Sequence, residues 1–208
     1  MKIKALGTLM LLGALGPGVA SADVMISDIN LEVRPSTYTV DGTEVGTDAL
    51  YNEFLSGGDA ICSASLAAVE NVGSVQTCGT SNSNIASLIS FDLTQNQDTL
   101  WQFGADWGRG GAILVDNVTG LTFVGDYWWG GSDFGNPDVI NFGITGSGSA
   151  RIGLLGFEGC CAGGMSLRYS LDDGQTWQIA AVNVPEPATL ALFGLGLAGF
   201  GFARRRKA

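Results

Sequence analysis

A short apolar run near the C-terminus most constrains how this chain can fold, because it removes the last residues from the folded body. Pro185-Glu186-Pro187 precedes apolar and glycine residues from Ala188 to Ala203, and Arg204-Arg205-Arg206-Lys207 follows them. As a helix the run would rise about 24 Å at about 1.5 Å per residue, short of the roughly 30 Å hydrocarbon core of a bilayer. The cationic cluster would stay in the cytoplasm, which leaves the preceding chain on the outer face.

The order of these parts resembles the PEP-CTERM signal of Gram-negative bacteria. The resemblance implies recognition by an exosortase in the inner membrane, removal of the tail, and release or attachment of the ectodomain outside. An ordinary C-terminal anchor helix is the alternative, but four glycines between positions 194 and 201 weaken a helix and add little apolar area. The sorting residues would be Pro185, Glu186, Pro187, Arg204, Arg205 and Arg206.

The N-terminus also has the features of a processing segment. Lys2 and Lys4 precede an apolar run, and Ala20-Ser21-Ala22 supplies the small residues that a signal peptidase needs. The sequence therefore predicts a signal peptide over 1–22, a secreted domain over 23–183 and a sorting signal over 184–208. We expect an exported protein that passes through the inner membrane during sorting and ends at the cell surface or outside the cell.

The secreted domain is strongly acidic. Of 20 acidic residues only Glu186 lies outside it, and of 10 basic residues six do, which leaves 19 against 4 and a formal charge of −15. A field of this sign repels phosphate backbones, which argues against nucleic acid as a partner. Its acidity leaves calcium open as a cofactor, although acidity also keeps an exported protein soluble.

Catalysis is restricted because the domain has no lysine and the whole chain no histidine. Ser-His-Asp and Cys-His nucleophile systems, lysine Schiff bases and histidine-ligated zinc are excluded. Two carboxylates can hydrolyse glycosides, but no pair stands out in the sequence. We therefore expect no enzymatic activity and no catalytic residue.

Four cysteines are typical of an oxidising compartment, where an even number normally forms bridges. Cys62 and Cys78 could close a loop that stabilises the fold by about 3 kcal/mol. Cys160 and Cys161 are adjacent, so their α-carbons lie about 3.8 Å apart, below the roughly 4.4 Å lower limit that is usual for a disulfide. We favour these two local pairs over separate bridges from Cys160 and Cys161 to Cys62 and Cys78.

Apolar residues alternate with a period of two far more often than 3.6, which predicts a mainly β domain. Asp172-Asp173-Gly174-Gln175 is a good hairpin turn. Many short strands with turns between them indicate an antiparallel, jelly-roll-like β-sandwich, followed by a short C-terminal hydrophobic helix. Strands are expected at 29–33, 85–93, 100–107, 111–115, 121–124, 140–144, 151–157, 165–171 and 177–181.

Little helix is predicted in the domain. One helix is expected from Asp48 to Leu55, capped by Thr47 and ended by Gly57-Gly58, and Ser63 to Val69 is predicted to add a helical turn or two. Loops are expected over the rest of 56–84, which has few large apolar residues.

A second resemblance lies inside the domain. Gly104-Ala105-Asp106-Trp107-Gly108-Arg109-Gly110-Gly111, with Cys160-Cys161-Ala162-Gly163 later in the chain, resembles the CCXG family of PEP-CTERM proteins. The likeness covers about residues 100–179 and the tail. It implies a secreted β-sandwich sorted by an exosortase and implies no particular activity.

The best candidate for ligand binding is the aromatic segment Tyr127-Trp128-Trp129 between Asp126 and Asp133. Aromatic faces with nearby carboxylates suit sugars. Consecutive residues of a strand point to opposite faces, so at most one of Trp128 and Trp129 joins the core; alternatively both pack around a bend at the rim. Trp101, Trp107 and Trp177 are expected in the core.

Glu158, beside the double cysteine, is a further candidate for ligand binding. The glycines around it let a ligand approach the backbone, but they also permit a tight turn without any ligand. The sequence thus favours a noncatalytic surface or matrix protein associated with exopolysaccharide or biofilm, with exosortase and signal peptidase as partners during export. A lectin-like carbohydrate-binding module, with or without calcium, is the alternative.

Overall fold

The structure is a computed structural model that describes residues 23–42, 45–80, 83–117, 119–130, 132–161 and 163–183. The signal peptide predicted at 1–22 and the sorting signal at 184–208, with its hydrophobic helix, lie outside these residues. The elements are β1 Val24–Pro35, α1 Thr47–Ser56, β2 Cys62–Ser65, α2 Ser74–Cys78, β3 Ile85–Gln95, β4 Thr99–Gly104, β5 Gly111–Val115, β6 Thr119–Phe123, β7 Ile140–Ile144, β8 Gly148–Glu158, β9 Ser166–Ser170 and β10 Gln178–Ile179.

Two antiparallel sheets form the domain, which confirms the predicted β-sandwich. One sheet has six strands in the order β2-β1-β3-β8-β5-β6, and the other has four in the order β10-β9-β4-β7. Apolar residues on the inner faces of both sheets fill the space between them, as expected for packed sheets. The largest side chains of this main core include Phe91, Trp101, Phe103, Trp107 and Tyr169.

A second, smaller core lies on the opposite face of the six-stranded sheet. Leu50 and Phe54 of α1 pack there against Leu88, Leu155 and Phe157, and all five are buried. Residues 85–89 of β3 and 152–158 of β8 are therefore covered on both faces, whereas the other half of each strand has exposed residues. This explains why the burial of β8 is continuous from Ile152 to Glu158 instead of alternating.

The predicted helix is present but begins one residue earlier than expected. Thr47 is its first residue instead of its cap, and Gly46 occupies the N-cap position without a side-chain hydrogen bond. The helical turn expected over 63–69 is wrong, because Cys62–Ser65 pairs with β1 as strand β2. This strand is built of small residues and has no apolar alternation that marks it in the sequence.

The last described residues, Val182 and Asn183, are held by backbone hydrogen bonds to β1 and to the segment after β2. The Asn183 N–H donates to the Ile26 carbonyl at 3.0 Å, and the Val182 N–H donates to the Ala67 carbonyl at 2.8 Å. The Cys62–Cys78 disulfide, with α-carbons 6.1 Å apart, ties the start of β2 to the end of α2. The local pair expected for these two cysteines is the one that the structure contains.

Trp107 passes unusually close to the backbone of β8. A Cβ built on Gly156 would lie 1.7 Å from Trp107 Nε1, so only glycine leaves room for this fully buried indole. The contact fixes where the chain leaving β4 crosses the inner face of the six-stranded sheet. That crossing in turn positions the loop from Asp126 to Asp138, because Trp107 and Tyr127 exchange backbone hydrogen bonds of 2.8 and 3.1 Å.

We expect Gly156→Ala to lower the free energy of unfolding by about 1–3 kcal/mol, because overpacking displaces Trp107 or the strand. Gly143→Ala is the matched strand control, since its new Cβ would meet no atom closer than 3.7 Å. Urea unfolding of both variants measures the difference. Equal stability of the two variants would contradict the assigned contact.

Candidate functional site

The aromatic segment singled out in the sequence lies at one end of the outer face of the four-stranded sheet. Trp129 is buried there, and its indole covers Gly104, where a Cβ would lie 2.2 Å from the ring. Its Nε1–H donates to the Asp133 carbonyl at 2.8 Å. The Phe134 ring packs against Trp129 with the centroids 5.3 Å apart. Trp129 is therefore a packing residue that holds the loop onto the sheet.

Trp128 has the opposite environment, as strand alternation predicted for one of the pair. Its side chain is 67% exposed. Its backbone is held, because its N–H donates to Asp138 Oδ2 at 3.2 Å and its carbonyl accepts from Asn136 Nδ2 at 3.3 Å. Trp128 is thus an aromatic face displayed on a fixed backbone.

The flanking carboxylates do not converge on Trp128. Asp133 Oδ1 accepts from the Gly135 N–H at 2.8 Å within its own turn. Asp126 is exposed and lies close enough to Asp106 to raise the pKa of that carboxyl. Tyr127 packs edge-on against Phe123 with the centroids 5.9 Å apart. Of the six residues predicted to bind a ligand, the structure leaves Trp128 as the displayed aromatic surface.

Glu158 is a structural carboxylate. It is 6% exposed, accepts from the Gly108 N–H at 2.7 Å and accepts from the Cys160 N–H at 2.9 Å. Asp106 accepts from the Gly163 N–H at 2.6 Å in a similar way. The two carboxylates therefore fasten the loop after β8 to the loop after β4, and Glu158 is too enclosed to contact a ligand.

The predicted vicinal bridge is absent, because Cys160 and Cys161 are both free and exposed. Adjacent α-carbons are too close for an unstrained disulfide, and Cys161 already has a φ of +69°. The neighbouring Cys161 thiol, as hydrogen-bond partner, raises the pKa of Cys160. Separate bridges to Cys62 and Cys78 are also absent, since those two cysteines pair with each other.

Sequence reasoning missed a groove farther along the same outer face. It has a volume of about 400 Å³, and a second depression of about 150 Å³ adjoins it. The two share Leu100, Gly143 and Asp173, which come from β4, β7 and the turn before β10. The larger one is lined by Leu100, Trp101, Asn141, Phe142, Gly143, Asp173, Gly174 and Trp177.

Trp177 forms one wall of this groove, so its predicted place in the core is wrong. In the β10 segment it is Ala180 that is fully buried, and Trp177 and Ile179 therefore face outward. The alternation was read correctly but assigned to the wrong face. The sequence signal that could have indicated a surface site is the carboxylate-bearing turn at 172–175, two residues before Trp177.

Polar side chains form a row beside the groove. Arg168 Nε donates to Gln102 Oε1 at 2.8 Å, and Gln102 Nε2 donates to Asn141 Oδ1 at 2.9 Å. The Arg168 guanidinium lies between two rings, 4.0 Å from the Phe134 centroid and 4.7 Å from that of Trp177. These contacts fix the orientation of Trp177 and Asn141 before any ligand arrives.

The turn at the rim of the groove is also rigid. Asp172 accepts from the Thr176 hydroxyl at 2.6 Å and from the Thr176 N–H at 2.8 Å, and these hydrogen bonds lower the pKa of Asp172 to about 2. Asp173 and Gly174 have left-handed φ angles of +54° and +84°. The Asp173 carboxylate projects from this turn with no hydrogen-bond partner among the described residues.

The described residues contain no group of three or more cysteines and carboxylates placed to hold a metal ion. Within the same part of the chain, no helix has the length and apolar character needed to cross a membrane. What the site offers is an aromatic wall, an aliphatic floor and a few oriented polar groups. This is the usual make-up of a small-molecule or sugar site on a β-sandwich.

The C-terminal tail matches a known sorting signal, the PEP-CTERM protein-sorting motif, over residues 183–207. The motif implies export and exosortase-mediated sorting to the cell surface or the extracellular space. The match begins at Asn183, the last residue that the structure describes. The likeness to the CCXG family stays a prediction from the sequence.

Solved structures with a similar arrangement include the PA14 sugar-binding domain of an RTX adhesin, with 12% identity and a TM-score of 0.46 over 75% of this chain and 98% of that one. The PA14 domain of the antifreeze protein MpAFP has 10% identity and a TM-score of 0.46 over 83% and 98%. An anti-sigma factor domain-containing protein from Clostridium clariflavum has 9% identity and a TM-score of 0.45 over 76% and 48%. No curated protein matches the sequence.

We expect Asp106→Asn to gain stability relative to the wild type as the pH rises from 4 to 7.5. Burial raises the pKa of Asp106 from 3.8 to about 6, with Glu158 and Asp126 adding repulsion. Between these two values the folded state holds a proton that the unfolded state has lost, so the contribution of Asp106 falls as the pH rises through about 6. Asparagine cannot ionise and loses nothing.

Urea unfolding of both proteins at pH 4 and pH 7.5 measures this change. A difference in free energy of unfolding that is the same at both pH values would show that Asp106 titrates normally.

Proposed function

We propose that this chain is a noncatalytic surface protein that is exported, processed by an exosortase-type system and retained with extracellular polysaccharide, as in a biofilm matrix. Signal peptidase removes residues 1–22, and the tail holds the chain in the inner membrane until it is cut. The sorting motif over residues 183–207 supports this order of events.

Within this role the ectodomain acts as a carbohydrate-binding, lectin-like module. The groove beside Trp177 is the observation that carries this part of the proposal. A half-buried indole offers a flat apolar face to the C–H groups of a sugar ring, while Asn141 and Asp173 offer an amide and a carboxylate to its hydroxyls. About 400 Å³ accommodates one or two sugar rings, and the adjoining depression extends the groove along the sheet.

Trp128 is exposed and is not among the residues that line the groove. We assign it a supporting role at most, as a second aromatic surface for a long chain. Calcium remains an optional cofactor in this proposal, and the described lining of the larger groove supplies one carboxylate, that of Asp173. Binding measured with and without calcium tests that point directly.

We expect the mature protein from the extracellular fraction of an exosortase-bearing host to end near Pro185 to Pro187. Intact-mass measurement and C-terminal peptide mapping read this position. A host that lacks the exosortase is the control, and there the protein should retain Arg204 to Lys207. The basic cluster found on protein recovered from the cell surface of the first host would contradict processing.

We expect Trp177→Ala to weaken binding to oligosaccharides on a glycan array by at least tenfold, because it removes the stacking wall. Gly143→Leu should do the same by filling the groove, since a Cβ at this position makes only ordinary van der Waals contacts. Trp128→Ala is the matched control and should bind nearly as the wild type does. Thermal unfolding verifies that all three variants are folded, and an array without signal for the wild type would reject the carbohydrate role.

A further inference from the structure

The partners of the charged side chains in the ectodomain indicate the charge of the polysaccharide that it can bind. The domain 23–183 has four cations against 19 acidic residues. Each cation is an arginine with a partner inside the fold: Arg34 pairs with Glu32, Arg109 donates to Asn84, Arg151 pairs with Asp28 and Asp92, and Arg168 donates to Gln102.

Arg168 is the cation nearest the groove, and it is enclosed. Its guanidinium is stacked between Phe134 and Trp177, and both Nε and Nη2 donate to Gln102 Oε1. A uronate, sulfate or phosphate group in the groove would find Nε and Nη2 already bonded, which leaves Nη1 as the one guanidinium nitrogen without a hydrogen-bond partner among the described residues. It would also enter the field of a domain whose formal charge is −15.

The carboxylates around the groove, in contrast to Arg168, have few or no hydrogen-bond partners. Asp173 projects from a rigid turn at the rim, is exposed, and accepts no hydrogen bond from the described residues. Its neighbour Gly174 abuts the tryptophan, since a Cβ there would lie 3.4 Å from Trp177 Cζ2. Asp98 lines the adjoining depression and is occupied only by the Gly146 N–H at 2.6 Å. An aromatic wall and a carboxylate without a partner therefore sit side by side.

We infer that the groove holds a polysaccharide with free amino groups, a hexosamine polymer that is at least partly without N-acetyl groups, with a ring on Trp177 and its ammonium group at Asp173. This inference rests on the carbohydrate-binding function proposed above. It adds that the charge of the glycan is positive, which a sugar site lined by neutral groups alone would not specify. The excess of carboxylates then serves attachment as well as solubility.

The test compares four oligosaccharides of equal length by calorimetry on the mature protein: glucosamine, N-acetylglucosamine, glucose and a uronic acid. We expect the glucosamine oligomer to bind at least tenfold more tightly than the acetylated and neutral oligomers, and the uronate oligomer not to bind. Added salt should weaken the first and leave the neutral oligomers nearly unchanged. Raising the pH until the amines lose their protons should remove the preference.

The variant Asp173→Asn tests whether this carboxylate causes the preference. Asparagine removes the charge and tolerates the left-handed backbone that this turn requires. We expect it to lower the affinity for the glucosamine oligomer about tenfold and to leave the neutral oligomers unaffected. Asp59→Asn changes the net charge equally at an exposed position away from the groove and is the matched control.

Equal losses in the Asp173→Asn and Asp59→Asn variants would overturn the inference, since they would indicate nonspecific attraction to a polycation. Tighter binding of the uronate oligomer would also overturn it. Binding of neutral and amino oligomers with equal affinity, abolished by Trp177→Ala, would keep the carbohydrate role and reject the charge preference. No binding by any of the four would reject both.

Discussion

The pairing of β3 with β8 is the constraint on which the rest of this structure depends. It runs without a break from Ile85 opposite Glu158 to Gln95 opposite Gly148. Residues 85–89 of β3 and 152–158 of β8 are covered on both faces, by the four-stranded sheet on one side and by α1 on the other. Burial on both faces leaves no room for a shift of register, because a slip by one residue would exchange two different apolar surfaces. The position of Glu158 at the end of this ladder then fixes the two loops that its carboxylate joins.

A series of contacts connects this ladder to the outer face of the four-stranded sheet and fixes the arrangement of the residues there. Trp107 seats against Gly156, the Trp107 backbone pairs with Tyr127, and Trp129 then lies on Gly104. The two indole contacts each use a glycine, Gly156 or Gly104, so the ring occupies space that a side chain would otherwise fill. The groove beside Trp177 lies on this braced surface, which reduces the ordering that a ligand would have to impose.

Much of the fold was predictable because most strands border a single core. In β4, β7 and β9 one set of alternating residues faces the main core, and a period of two marks them clearly. The strand β2 was missed because its residues are small and carry no such signal. The prediction for Trp177 was wrong because alternation shows which residues share a face of the strand and not which face is buried. In this segment Ala180 takes the inner position, beside a core already filled by Trp101 and Tyr169.

The candidate site was predictable only in part. The sequence left open whether one of Trp128 and Trp129 is exposed or both pack around a bend; the contact of Trp129 with Gly104 decided that Trp129 is buried and Trp128 exposed. It did not reveal the groove, because Leu100, Gly143 and Asp173 are far apart along the chain and meet only when β4, β7 and the turn before β10 are assembled.

By itself the sequence determined the acidic, histidine-free chemistry of this protein, its mainly β character and the sorting motif at its end, since each depends on composition or on residues adjacent in the chain. Only the tertiary structure decided which aromatic rings line the groove, which lie in the core, and which charged groups remain without partners. These properties depend on which residues are brought together when the sheets pack.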